Sequence, residues 1–268
     1  MTAVRVLILH APGTNRDREA ALACQQAGAV PTIMPVEFLA SAPRRLNEFQ
    51  MLVLPGGFSY GDDLGAGKVW SLDLRFRFSE ALAHFHGQRK PILGICNGFQ
   101  ALVKSGFLPG DARDAADDRG GRAQTATLTR NASARFECRW VHLRPNPASP
   151  CVFTQGLTEL IDCPVAHGEG RFLLADRQRL HALHATGQVA LTYVDALGQP
   201  AHGAYPTNPN GSLADIAGVC DPTGTILGLM PHPEDHLWHA QHPQAARGHA
   251  ERFGLVLFER GVHYAAQL

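Results

Sequence analysis

The chain has 268 residues, 45% of them apolar and 18% charged, enough to bury a sizeable core in one large domain or two small ones. Lys plus Arg equals Asp plus Glu at 24 each, so the net charge is zero with His neutral. That balance argues against a broad nucleic-acid or acidic-membrane surface, though not against a local patch.

Taken in chain order, Val4–Leu9 reads as a buried first strand. Pro12-Gly13-Thr14-Asn15 is a turn. A helix is predicted from about Asp17 to Ala27, with Gly28 suited to its C-cap. Ala29–Met34 is a second strand. Met51–Leu54 is a third, closed by Pro55-Gly56-Gly57. A helix around Leu72–His86 leads to the apolar run that ends at Ile95. Strands alternating with helices across glycine turns predict an open, mostly parallel sheet with helices on both faces. Ligands of such a sheet gather at the carboxyl ends of its strands. Pro109–Gln124 is polar and reads as a surface loop. Phe136–Leu143, Gln188–Val194 and Ile226–Met230 are shorter strand candidates, an antiparallel elaboration of the same domain. A final helix is expected from about Pro243 to Tyr264.

Six cysteines are present, and no two are spaced as C-x-x-C. A chain of this size needs no disulfide staples, so free thiols in a reducing compartment are expected. The amino terminus has no signal-peptide pattern, and no apolar stretch reaches the roughly 18 residues of a membrane span. The cytoplasm is the expected location.

The run Gly94-Ile95-Cys96-Asn97-Gly98 sits where a buried strand meets a helix-like segment with Phe99, Leu102 and Val103 at helical spacing. This is the layout of a nucleophile elbow with Cys in place of Ser. The flanking glycines are expected to permit the sharp turn. A helix amino terminus aimed at a sulfur favours its thiolate, the reactive form. A lone Cys is more often a small buried hydrophobe, so the elbow needs a partner. Pro231-His232-Pro233-Glu234, after a second apolar run, supplies one. In extended backbone His232 and Glu234 would share a face, and the prolines would stiffen the holder. Glycines at 56 and 57 allow bare amides to face a reacting centre, as an oxyanion hole requires, although a plain glycine turn has the same composition. No Walker loop or G-x-G-x-x-G motif points to ATP or NAD on this chain.

Gly-Ile-Cys-Asn-Gly-Phe-Gln, the Gly-Gly turn and Pro-His-Pro-Glu together resemble the class I glutamine amidotransferases. Pro12–Asn15, Gly56–Asp62, Arg130-Asn131 with Arg135-Phe136, His167–Arg171 and Tyr205–Ser212 are similar to one branch. That branch is the glutaminase component of phosphoribosylformylglycinamidine synthase, in purine biosynthesis. The resemblance spans about residues 4–236 and implies a flavodoxin-like single type 1 amidotransferase domain over 1–268. It implies that Cys96 attacks glutamine, that His232 moves protons and that Glu234 orients His232. Backbone amides of Gly57 and Asn97 would hold the oxyanion. Gly56, Phe58, Gln100, His167 and Gly168 would bind substrate. It implies no metal and no cofactor in this chain. ATP and Mg²⁺ would belong to a partner synthetase subunit that receives the ammonia, and a small third subunit is a further expected partner of some complexes. Asp62–Lys68 is more like the large single-chain form of the enzyme, yet a separate subunit is expected, since no synthetase region is present. Two other readings are a Cys hydrolase of another amide or γ-glutamyl bond, and a catalytically silent regulatory subunit.

Overall fold

The computed structural model describes residues 3–110, 122–248 and 252–268. Most of the polar loop expected at 109–124 thus lies outside the described residues. The chain runs β1 (Arg5–His10), α1 (Asp17–Gln26), β2 (Val30–Pro35), α2 (Val36–Ser41) and β3 (Met51–Leu54). It continues with α3 (Lys68–Leu72), α4 (Ser79–Gly87), β4 (Ile92–Ile95), α5 (Asn97–Lys104) and β5 (Ala126–Thr129). Then follow β6 (Glu137–Pro145), β7 (Ile161–His167), β8 (Arg171–Leu174), α6 (Arg177–Ala185) and β9 (Val189–Val194). β10 (Ile216–Cys220), β11 (Ile226–Leu229) and α7 (Leu255–Ala265) close the chain. Among the described residues no helix is long and apolar enough to cross a membrane.

Nine strands form one sheet in the order β2-β1-β3-β4-β11-β10-β9-β6-β7. The first five pair in parallel and the rest antiparallel, as the reading of a parallel sheet with an antiparallel extension expects. β3, β4 and β11 are buried throughout, because helices cover the sheet on both sides. The register of β3 shows this directly. A Cβ on Gly261 of α7 would lie 3.3 Å from Met51, and one on Gly98 of α5 would lie 2.7 Å from Leu54 Cβ. Met51 and Leu54 point to opposite faces of a strand, so α7 and α5 do too. β7 carries Pro164, which suits its place at the sheet edge. That edge curls back over the parallel half: the His232 N–H donates to Pro164 O at 2.8 Å.

Two helix expectations are corrected. The helix expected over Leu72–His86 is two helices joined by a wide π-type turn at Asp73–Arg77. The buried Asp73 carboxylate holds that turn by accepting from Tyr60 Oη and from Arg77 Nη1. The helix expected from Pro243 begins only at Leu255. Gly248 takes a left-handed φ of 73°. Gly254 is drawn instead to the 232–236 turn, with its N–H donating to His236 O at 2.8 Å. β7 and β10 had no expected counterpart. Buried Asp162 and Pro164 interrupt the apolar pattern of the first, and glycine and alanine dilute the second.

Candidate active site

Three neighbouring strands, β3, β4 and β11, end side by side, and each delivers one part of the site. β4 delivers Cys96, which has φ 48° and ψ −99°, a conformation costly for a residue with a side chain. Its N–H is bonded to Leu229 O at 2.8 Å and its C=O accepts the first helical bond from Gln100 N–H, so strand and helix hold the strain between them. The flanking glycines act differently from the expectation. Neither Gly94 nor Gly98 has a left-handed φ, and the sharp turn falls on Cys96 itself. The glycines serve close approach instead. A Cβ on Gly98 would lie 1.9 Å from Leu54 O, and one on Gly94 would lie 2.5 Å from Leu102 Cδ1. α5 therefore packs hard on β3, with its amino terminus at the sulfur.

β11 delivers His232 and Glu234, both buried. His232 Nδ1 and Glu234 Oε1 are 2.7 Å apart. They meet through a 3₁₀ turn at Pro233–Asp235, not through extended backbone as expected. Proline at the first turn position favours that turn. Burial alone would lower the His232 pKa, but the charges of Glu234 and Cys96, and hydrogen bonds to both, hold it well above its usual value. Among the described residues His232 Nε2 has no hydrogen-bond partner other than Cys96. His232, Glu234 and Asp235 also place potential metal-ligand atoms within 4.8 Å of one another. The His232–Glu234 bond and an Arg16–Asp235 contact of 3.5 Å use that capacity within the chain.

β3 delivers the glycine turn. Gly57 has φ 146° and lies against the 13–15 loop, where a Cβ would sit 2.7 Å from Asn15 N. Gly56 lies against the His232 ring: a Cβ there would fall 2.6 Å from His232 Cε1. Gly57, Phe58, Cys96, Gln100, His167 and Gly168 all line one cavity of about 160 Å³, whereas Gly56 is not among its lining residues. Asn97 holds the turn from the other side, with its Oδ1 accepting from the Ser59 N–H at 3.0 Å and from the Ser59 hydroxyl. Gln100 Nε2 donates to Glu169 O at 2.8 Å, tying α5 to the 167–171 loop.

The state of His167 follows from its neighbours. Asn131 Oδ1 accepts from the Gly170 N–H, while Asn131 Nδ2 donates to His167 O and Arg135 O. The oxygen is therefore the atom facing His167 Nδ1 at 3.2 Å, so Nδ1 carries the proton and Nε2 is a bare acceptor. Burial, reinforced by nearby His232, lowers the His167 pKa from 6.5 to about 3. The unfolded chain binds this proton below about pH 6.5 and the folded chain does not, so stability is lost as pH falls from 6.5 towards about 3. The slope is about 1.4 kcal/mol per pH unit for one such group. In urea titrations between pH 6.5 and 4.5, His167→Asn is expected to flatten the pH dependence by about that amount. An unaltered slope would show that His167 titrates normally.

Asp62, Ala66, Phe136 and Glu169 share the same cavity, and the sequence singled out none of them for a role. The available signal was weak: one carboxylate in each of two glycine-rich runs. Burial, and then the charge of Glu169, raise Asp62 to a pKa of about 6.

With this geometry in place, comparison with known proteins is specific. Residues 3–265 match the family of CobB/CobQ-like glutamine amidotransferase domains. The chain is 45% identical to phosphoribosylformylglycinamidine synthase subunit PurQ of Treponema denticola, covering 97% of this chain and 98% of that one. It is 45% identical to the subunit of the same name from Dehalococcoides mccartyi, over the full length of both. Among solved structures, a chain of PurLQS from Thermotoga maritima matches with TM-score 0.72 and 29% identity, covering 98% of this chain and 99% of that one. A glutamine amidotransferase from Thermotoga maritima, 15% identical with TM-score 0.55, shares the fold. Elbow, buried dyad, glycine turn and full-length likeness agree, and the chain belongs to the PurQ family of phosphoribosylformylglycinamidine synthase subunits, within the CobB/CobQ-like glutamine amidotransferases.

Proposed function

We propose that this chain is the glutaminase subunit of phosphoribosylformylglycinamidine synthase, acting through Cys96, His232 and Glu234. The observation that carries the assignment is the strained Cys96 beside the buried His232–Glu234 pair, at one cavity, in a chain with full-length likeness to named PurQ subunits. His232, with its raised proton affinity, takes the thiol proton, and the sulfur attacks the carboxamide carbon of L-glutamine. The Gly57 and Asn97 backbone amides hold the oxyanion of the tetrahedral intermediate. His232 returns the proton to the departing ammonia, leaving a γ-glutamyl thioester on Cys96. Water, deprotonated by His232, then releases glutamate and restores the thiol. Glu234 keeps the imidazole aimed and balances its charge. Gln100, Phe58, His167 and Gly168 bound the glutamine site.

Ammonia leaves for the synthetase subunit, where ATP and Mg²⁺ support conversion of formylglycinamide ribonucleotide to the amidine. Direct transfer matters because ammonia in neutral water is mostly ammonium, which is no nucleophile. This chain needs no cofactor of its own for the thioester chemistry. The single type 1 domain spans the chain, and the cytoplasm is the proposed compartment, in keeping with six cysteines outside any disulfide. The test is glutamate release from L-glutamine by the purified chain, alone and with synthetase, ATP and formylglycinamide ribonucleotide. Release that rises with the partner is expected. No release under any condition, with a synthetase competent on ammonia, would overturn the assignment.

A further inference from the structure

Residues 13–16, the loop after β1, run alongside the glycine turn after β3. The Phe58 N–H donates to Gly13 O at 3.0 Å, Thr14 and Gly57 form an isolated antiparallel bridge, and the Arg16 N–H donates to Gly56 O at 3.3 Å. The Arg16 side chain then leaves this loop for the turn after β11, where its Nε lies 3.5 Å from Asp235 Oδ2. Arg16 is thus tied by its backbone to the turn that carries Gly57, and by its side chain to the turn that carries His232 and Glu234. Its stem lies close to both: a Cβ on Gly56 would fall 3.6 Å from Arg16 Cγ and 2.6 Å from His232 Cε1. The Asp235 N–H donates to His232 O at 3.2 Å, so a hold on Asp235 is a hold on the whole 232–235 turn. Charge explains why an arginine suits this place. Arg16 Nη1 is 3.4 Å from Glu19 Oε1, and both Glu19 and Glu234 repel the Asp235 carboxylate. Burial and then Glu234 raise the Asp235 pKa to about 6, whereas His232 and Arg16 oppose the rise. Without Arg16 those carboxylates would push Asp235 towards solvent, and the turn would follow it.

We propose that Arg16 is a positioning residue for the thioester chemistry: by joining the glycine turn to the 232–235 turn, it fixes His232 relative to Cys96 and to the Gly57 amide. The proposal rests on the glutaminase reading. Misplacing a reacting group by about 1 Å can cost about 100-fold in rate, even when the change is made away from the chemistry. Neither Arg16 nor Asp235 lines the cavity beside Cys96. Losing Arg16 should therefore slow the chemical steps and spare the binding of glutamine, a loss in kcat with KM kept.

The experiment measures kcat and KM for glutamate release from L-glutamine with the chain assembled on its synthetase, with ATP and formylglycinamide ribonucleotide. The variants are Arg16→Gln, Arg16→Lys, Asp235→Asn and the double variant Arg16→Gln with Asp235→Asn. Arg16→Gln is expected to lower kcat by about 10-fold or more, with KM within about two-fold of wild type. Arg16→Lys keeps the charge and is expected to recover at least about three-fold of that loss. The double variant should be no slower than Arg16→Gln, because the two residues act as one link. A kcat for Arg16→Gln within two-fold of wild type overturns the proposal. So does a rise in KM as large as the fall in kcat, a lysine variant as slow as the glutamine one, or losses that multiply in the double variant. Loss of ammonium-driven synthesis in Arg16→Gln would mark a role in folding or docking and overturn it too. No release from L-glutamine by the wild-type complex would instead overturn the glutaminase reading, and this proposal with it.

Discussion

Replacing Cys96 with Ala is expected to lower glutamate release by about 10⁴-fold or more, while synthesis driven by added ammonium in the assembled complex persists. The size follows from the chemistry. Without the sulfur there is no thioester route, and what remains is water near an oxyanion hole. The effect should not arise from unfolding. Cys96 bears the strained φ of 48°, and Ala in its place has a smaller side chain with the same backbone bonds to Leu229 and Gln100. The thermal midpoint should therefore stay within a few degrees. Glutamine-dependent synthesis that survived in Cys96→Ala would mean that the chain is a silent scaffold. Loss of both glutamine- and ammonium-driven synthesis would mean that the variant disrupts the complex rather than the chemistry.

Gly98→Ala carries the largest expected stability cost. The added methyl would stand 1.9 Å from the Leu54 carbonyl oxygen and 2.6 Å from its carbon. Both are backbone atoms of a buried central strand, so no side chain can swing away. α5 must move off β3, and its buried face moves with it. Overpacking of this kind costs about 3 kcal/mol, and more when backbone must shift. For a chain of this length that lowers the thermal midpoint by roughly 6–12 °C. The same displacement would pull the helix amino terminus and the Asn97 amide away from the sulfur, so activity should fall even at temperatures where the variant is folded. A midpoint within 2 °C of wild type, measured by calorimetry, would show that α5 has slack that its packing does not suggest.

The parallel half of the fold was legible because its signals are local. β1, α1, β3 and β4 announce themselves by short buried apolar runs and glycine stops, and the structure places them close to the expected residues. The proximity of Cys96 and His232 to one site was legible for another reason. Cys96 and His232 each follow an apolar run, and parallel strands gather their carboxyl ends. What the pattern could not carry is how the far edge of the sheet returns. The 2.8 Å bond from His232 N–H to Pro164 O and the approach of the Cys96 sulfur to Ala166 O depend on sheet curvature. The broken helix at Asp73–Arg77 likewise depends on a long-range bond to Tyr60. The role of the elbow glycines was misread because sequence shows that a small residue is needed but not which neighbour needs the room. Asp62 and Glu169 lay in runs that marked the branch, yet neither was given a role, because a carboxylate in a loop looks solvated until a cavity closes around it.

The place of β11 in the sheet has a consequence for the making of the protein. It lies between β4 and β10, although it is formed from residues close to the carboxyl end of the chain. A growing polypeptide that already contains Cys96 has neither His232 nor the central strand that seats it. The fold thereby brings Cys96 beside His232 and Glu234 only after β11 has been made and has entered the sheet.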